Sequence, residues 1–436
     1  MFIASLMKPN LVAFIFLSLC GSIFSWAKPE PLPNVVMILS DDQGFEDYGF
    51  MGHEMIETPS LDRLASQSLR YDRGYVTTAL CSSSLTTMLT GLYPHEHGTT
   101  GNDPLKGISR QPWIEKFKNS PQLPKLLVRQ GYISLHTGKY WHAHPKNSGF
   151  THDMGATQRH GSPYSLSIGR DTMKPISDFL REAKEKEKPF FIWYAPFLPH
   201  TPHNPPADLE KKYRDLGAGG QAKYYAMCEW FDQSCGQLLD DLDNLKLSDN
   251  TLVVYACDNG WGKLDGKRGS VKASPYEQGV RTPIMFRWPA KISPQINSTD
   301  LASNLDLVPT ILKACGIETD ERMTGIDLLN PTAVKKRKSI LLENFTHDML
   351  DVDRPETALR ARSVVQKNWK LTRWTEPHPK LKSMGWQIGI PQEKVELFDL
   401  TKDPLESTNL ADLNPDVVQN LTAKLDAWWN PLQNKK

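Results

Sequence analysis

The sequence predicts an α/β protein with a mainly parallel central sheet covered by helices on both faces, followed by a smaller C-terminal α+β subdomain with an antiparallel sheet. Three observations carry this prediction. Short, continuous apolar runs end abruptly in polar residues, the pattern of strands buried on both faces. Amphipathic stretches alternate with those runs, and a β-α-β-α order folds as parallel strands between helices. Beyond about Lys335 the style changes to short strand-like runs separated by turns.

Taken in order, the chain opens on a processing signal. Lys8 precedes the apolar run from Leu11 to Leu19, and Ser25-Trp26-Ala27 offers a small-x-small cleavage site. Residues 1–27 are therefore expected to be a signal peptide and the protein to be secreted or periplasmic. The run is too short to span a membrane. Leu17-Ser18-Leu19-Cys20 matches a lipoprotein box poorly, because Leu19 is bulky where a small residue belongs.

The catalytic domain is expected over 28–335. Asn34 to Ser40 reads as the first strand and ends in Asp41-Asp42. Pro59 to Ser68 is a predicted helix with Leu61, Leu64 and Ala65 on one face, and Leu123 to Gln130 is another, stopped by Gly131. His142 to Asp171, rich in His, Gly and Ser, is the stretch expected to be irregular. Met173 to Lys188 is amphipathic, and the strand from Phe190 to Ala195 then leads into Pro199-His200. Gln221 to Leu245 is a long helix with Met227, Phe231, Leu238 and Leu242 at helical spacing. The strand from Thr251 to Cys257 leads into Asp258-Asn259-Gly260. In the expected C-terminal subdomain, 336–436, the strand-like runs are Ser339 to Glu343, Ala361 to Gln366, Trp369 to Arg373 and Glu396 to Leu400. A helix from Asp412 to Gln433 closes the chain.

Composition narrows the partners. Lys plus Arg total 51 against 50 Asp plus Glu, a formal charge of +1, so the basic excess that nucleic acid or an anionic membrane surface demands is missing. Cys228, Cys235, Cys257 and Cys315 are widely spaced without a CxxC pair, which fits small buried thiols better than a disulfide scaffold or a zinc site.

The chemistry gathers at strand ends. Asp41-Asp42 and Asp258-Asn259 supply hard oxygen donors after two separate strands, a set that suits Ca²⁺ or Mg²⁺ over zinc. Between them lies Cys81-Ser82-Ser83-Ser84-Leu85-Thr86-Thr87-Met88-Leu89-Thr90-Gly91, followed by Leu92-Tyr93-Pro94-His95 and Gly98. This frame resembles the signature of the type I sulfatases of the alkaline-phosphatase superfamily. Further segments agree in order: Asp41-Asp42-Gln43-Gly44, Thr137-Gly138-Lys139, Pro199-His200-Thr201-Pro202-His203, Asp258-Asn259-Gly260, and Lys272 followed by Tyr276 to Pro283. Glu396 to Leu400, with Asp403-Pro404 and Asn409-Leu410, resembles the family's C-terminal subdomain. Six motifs in one order, from about Pro33 to Ala411, are far more specific than any one of them.

The resemblance implies a sulfuric ester hydrolase with an alkaline-phosphatase-like fold. Cys81 would be converted to formylglycine by a maturation enzyme, and its aldehyde hydrate would attack sulfur. Asp41, Asp42, Asp258, Asn259 and residue 81 would hold one Ca²⁺. Lys139 and Lys272 would neutralise the anion, and His200 would protonate the departing alcohol. Residue 81 would open a helix whose free N–H groups favour an anion. The implied substrate is a sulfated oligo- or polysaccharide, with Trp141, Arg159, His160, Arg170, Asn102 and Asp103 as candidate contacts.

Two departures from the family pattern bear on this reading. Ser83 and Leu85 stand where the family carries a small apolar residue and an Arg; oxidation of Cys81 by a tolerant maturation system is the expectation. Gly138-Lys139-Tyr140-Trp141-His142 replaces Gly-Lys-x-His, so either His142 still reaches the nucleophile or Trp141 serves as a substrate platform. Two other functions stay open at this point: a phosphonate or phosphodiester hydrolase on the same scaffold, and a catalytically silent protein that binds sulfated glycans.

Overall fold

The computed structural model describes Met1 and residues 31–155, 160–262, 270–382, 384–385 and 387–431. Residues 2–27 of the expected signal peptide, and Arg159, lie outside the described residues. Eight strands build the central sheet: β1 (Asn34–Ser40), β2 (Leu69–Tyr71), β3 (Ile133–Gly138), β4 (His152–Asp153), β5 (Phe190–Ala195), β6 (Thr251–Cys257), β7 (Ile284–Arg287) and β8 (Gln295–Asn297). Their spatial order is β8-β2-β7-β6-β1-β5-β3-β4. Strands β6, β1, β5, β3 and β4 run parallel, and β7 runs against both its neighbours, β6 and β2.

Alternation along the inner strands explains why both faces need helices. Val35, Met37 and Leu39 of β1 join one apolar layer, while Val36 and Ile38 join the other. Strand β5 divides in the same way, Phe191, Trp193 and Ala195 against Phe190, Ile192 and Tyr194. A strand with apolar side chains on both sides is stable only between two covers, each large side chain contributing roughly 1.5–3 kcal/mol when fully buried. The first layer is closed by α2 (Cys81–Thr90), α3 (Leu123–Val128) and α6 (Leu307–Ala314). The second is closed by α1 (Pro59–Ser66), α4 (Lys174–Glu185) and α5 (Ala222–Asn244), whose Met227, Phe231, Leu238 and Leu242 face the sheet at helical spacing.

The C-terminal part forms a separate antiparallel sheet of β9 (Ser339–Phe345), β10 (Leu359–Gln366), β11 (Trp369–Trp374) and β12 (Val395–Asp399) in sequential order. The final helix α7 (Pro415–Trp428) covers it through Leu421 and Leu425, packed on Val364, Leu371 and Leu397. Helix α7 is shorter than predicted because Pro415 sets its first turn. Buried Lys370 binds this sheet to the rest of the chain, 3.1 Å from both Glu277 and Glu406.

One expectation needs correction. The stretch from His142 to Asp171 is not wholly irregular: it carries edge strand β4, a 3₁₀ turn at Pro145–Ser148 and a short helix at Pro163–Leu166. Two-residue pairing at a sheet edge leaves no periodicity to read. The five described cysteines are all buried free thiols.

Candidate active site

Register brings the two acidic pairs together. Strands β1 and β6 are paired along their whole length, from Asn34 opposite Thr251 to Ser40 opposite Cys257, so their following turns emerge side by side. The Asp258 amide donates to Ser40 O at 3.1 Å, and the Asp42 amide donates to Asp258 Oδ1 at 3.1 Å. Asp42 is held at φ 60°, a left-handed conformation uncommon for a non-glycine residue.

Lys139 arrives by the same logic on the other side of β1. Strands β3 and β5 end together, Gly138 opposite Ala195, and the Lys139 amide donates to Ala195 O at 2.8 Å. Gly138 has φ +81°, and a Cβ there would lie 1.8 Å from Ala195 O, so the turn requires glycine. The buried Lys139 ammonium sits 2.7 Å from both Asp41 oxygens and 4.9 Å from the ring centre of Trp141. Lys272 answers it across the site, 2.8 Å from both Asp42 oxygens and 3.5 Å from His200 Nε2. His200 Nε2 is itself 3.3 Å from Asp42 Oδ2.

Cys81 is the first residue of α2 and looks into this ring. Its Sγ lies 3.3 Å from Asn259 Oδ1, 3.7 Å from Asp42 Oδ1 and 3.9 Å from Asp41 Oδ1. Helix α2 has no side-chain cap at Leu80; instead Asn102 Oδ1 accepts from the Ser82 amide at 3.0 Å, meeting one of the four N–H groups a helix start leaves open.

Burial sets the electrostatics. It pushes Asp41 up to about 6 against the pull of Lys139, and it raises Asp258 in the same way. Burial also acts to raise Asp42, but Lys272, His200 and Lys139 outweigh it and hold that carboxyl well below its usual range. His200 is lowered to about 4, chiefly by burial. Burial, with Asp258 adding, pushes the Cys81 thiol far up, so an unmodified Cys81 is a neutral thiol and a poor nucleophile.

These residues suit a divalent cation. Three buried carboxylates face two lysines, which leaves negative charge to be matched, and Asp258 Oδ2 is buried without a hydrogen-bond partner. Asp41, Asp42, Cys81 and His200 offer ligand atoms that all lie within 4.8 Å of one another. Asn259 adds an amide oxygen toward Cys81 while its Nδ2 donates to Asp42 Oδ1 at 2.6 Å.

The structure therefore gathers Asp41, Asp42, Cys81, Lys139, His200, Asp258, Asn259 and Lys272 at one sheet edge. Other candidates lie elsewhere. His142 does not turn to Cys81: its Nε2 is 2.9 Å from Thr86 Oγ1, its ring stacks on Phe117 at 3.7 Å, and burial lowers it to about 3. The extra residue before it rotates the imidazole into the apolar layer. Trp141 is buried beside Lys139, its ring forming a wall for the ammonium. Arg170 spends its guanidinium on the carbonyls of Phe197 and His200 and on Asn204, so it braces the loop that carries His200. Asp103 is engaged by Arg110 at 2.7 Å.

Above the ring opens a pocket of about 330 Å³ lined by Asp42, Asn102, His160, His200, Thr201, Trp261, Ser270, Lys272 and His347. Trp261 and His347 were not among the sequence candidates. Trp261 follows Asp258-Asn259-Gly260 directly, and that adjacency was the available signal. His347 comes from beyond β9, with its carbonyl accepting from the Asn102 amide at 2.9 Å and Nδ1 2.7 Å from Asp348. No sequence spacing announces it.

Fold and site define an α/β protein whose acidic and basic side chains gather at the C-terminal edge of its parallel strands. The sulfatase family model matches residues 33–317, and a second model, described as N-sulphoglucosamine sulphohydrolase, C-terminal, matches residues 271–434. N-acetylgalactosamine-6-sulfatase of Rattus norvegicus is 30% identical over 357 residues, covering 70% of this chain and 66% of that protein. The chain thus spans about two thirds of the length of this relative. Arylsulfatase A of Homo sapiens is 26% identical over 91% of this chain and 88% of its own. Among solved structures, Ps i-CgsB in complex with k-i-k-neocarrahexaose aligns with a TM-score of 0.71 at 22% identity, over 91% of this chain and 92% of that one. The chain belongs to the sulfatase family, a group of sulfuric ester hydrolases in the alkaline-phosphatase superfamily.

Proposed function

We propose that the protein removes sulfate from a sulfated oligo- or polysaccharide outside the cytoplasm, with residue 81 as the nucleophile position. One observation carries this reading: three buried carboxylates, buried Lys139 and part-buried Lys272 face the first residue of helix α2. The relatives' printed names and the saccharide in the aligned complex support a sulfated sugar as substrate.

In this reading Asp41, Asp42, Asp258 and Asn259 would hold a Ca²⁺ together with residue 81. A bound ion would supply Lewis acidity, and formylglycine, made from Cys81 by a maturation enzyme, would supply a hydroxyl nucleophile. The chain's own residues do the rest. Lys139 and Lys272 are already desolvated and aimed by Asp41 and Asp42, so they stabilise added negative charge without reorganising. His200, beside Lys272 at the pocket, would protonate the leaving alcohol oxygen once the bound anionic sulfate raises the imidazole from its value of about 4 in the empty site and so lets it take up a proton. Helix α2 contributes its positive end to an anion bound at its start. Leu85 lies in the apolar layer, 5% exposed, so no charge is left unpaired where the family carries an Arg.

The test uses protein from its native host. Mass spectrometry of the peptide containing residue 81 is expected to find formylglycine, and incubation with sulfated oligosaccharides is expected to release inorganic sulfate. Phosphonate and phosphodiester esters run in parallel should turn over far more slowly. Unmodified thiol throughout, with saccharide bound but no sulfate released, would overturn the proposal.

A further inference from the structure

The run Lys335-Lys336-Arg337-Lys338 ends a short helix (Pro331–Lys336) and enters β9. Its members behave differently. Arg337 is turned inward and bonded through both terminal nitrogens to the buried Asp306, with Nη2 at 2.6 Å from Oδ1. Lys335, Lys336 and Lys338 are exposed, and among the described residues no carboxylate lies within ion-pair distance of them; Lys338 Nζ donates to Lys335 O at 3.2 Å. Three ammonium groups without counter-charge stand together in a chain whose formal net charge is +1.

Lys336 and Lys338 line a groove of about 500 Å³ that Tyr93 and Trp428 also line. The half-buried indole is fixed by packing: its ring centre is 4.8 Å from Tyr93 and 5.4 Å from His95, both edge-on. His95 is in turn stacked on Trp429 at 4.4 Å and paired with buried Glu343. None of the residues lining this groove lines the pocket at His200.

A rigid indole in one groove with unmatched ammonium groups suits a sugar that carries anionic substituents. The ring face takes the apolar side of a pyranose, and the lysines take sulfate oxygens. We propose that this groove is a second saccharide site, which holds a further stretch of an anionic, sulfated polysaccharide apart from the pocket at Cys81. The inference rests on the reading of the protein as a sulfatase of sulfated sugars.

The test measures binding of the full chain to dextran sulfate, to neutral dextran and to polyphosphate. Wild type should bind dextran sulfate and not neutral dextran. The exposed-residue variant Lys336→Gln/Lys338→Gln should bind dextran sulfate about tenfold more weakly at low ionic strength. Trp428→Ala should weaken dextran sulfate binding and leave polyphosphate unaffected. Sulfate release from a monosaccharide sulfate should match wild type in the lysine variant. Unchanged dextran sulfate affinity in that variant would overturn the proposal. So would polyphosphate binding as tight as dextran sulfate, or a wild-type dimer that the variant dissociates. Wild type that binds dextran sulfate through these lysines yet releases no sulfate from any ester would sink the catalytic reading and leave the groove standing.

Discussion

Replacing Lys139 by methionine tests the electrostatic balance of the site. Methionine keeps most of the apolar stem and removes the charge. In the native chain the ammonium lies 2.7 Å from both Asp41 oxygens, with side-chain exposures of 1% and 3%. Without it, Asp41, Asp42 and Asp258 face Lys272 alone. Removing one partner of a buried ion pair costs about 3–5 kcal/mol, because the other charge is left without compensation. Part of that cost is relieved by protonation, since burial already pushes Asp41 up to about 6 and Lys139 is the strongest influence holding it down. The loss should therefore be about 3 kcal/mol or more above neutral pH in chelator, and smaller near pH 5. Asp41→Asn in the same chain removes the orphaned charge and should recover most of the stability. Urea midpoints of wild type, both single variants and the double variant, all in chelator, give the coupling energy directly. A coupling below about 1 kcal/mol would refute the reasoning. Turnover is expected to fall about 10²–10³-fold in Lys139→Met and to stay low in the double variant, because a donor to the reacting anion is gone in both.

Three further outcomes follow from named contacts. Gly138→Ala places a Cβ 1.8 Å from Ala195 O at φ +81°, so it should cost about 2–4 kcal/mol in thermal or urea unfolding and lower turnover through Lys139. His142→Ala should lose about 2 kcal/mol of stability from the space left on Phe117, with turnover near wild type; a 100-fold drop in turnover at an unchanged melting temperature would restore the imidazole to the reaction. His95 is pulled down by burial but raised overall by Glu343, so its folded value exceeds the unfolded value of about 6.5. The stability it contributes is full below about pH 6.5 and is lost as pH rises through the folded value, and His95→Gln should flatten that part of the melting-temperature profile.

Much of the architecture was legible because burial on both faces leaves a strong pattern. The strands Asn34–Ser40, Phe190–Ala195 and Thr251–Cys257 were readable to the residue, since continuous apolar runs stop where the chain leaves the sheet. Asp41, Asp42, His200, Asp258 and Asn259 were legible for the same reason, as the polar residues after those stops. Two short strands were not. Edge strand β4 pairs over two residues and interior strand β7 reverses the sheet's direction, and neither imposes a period on its sequence.

The sequence by itself thus determined which residues leave the sheet at its chemical edge and which family they belong to. Only tertiary structure decided where each side chain went from there. Register over seven pairs set Asp41-Asp42 beside Asp258-Asn259. One added residue turned His142 into the apolar layer, and Arg170 was drawn to the backbone of the loop it braces rather than to the pocket. His347 reached the pocket because the Asn102 amide pairs with its carbonyl. The physical reason is one of range. Burial and periodicity act between near neighbours and are written in local composition, whereas register, side-chain direction and counter-charge depend on segments hundreds of residues away.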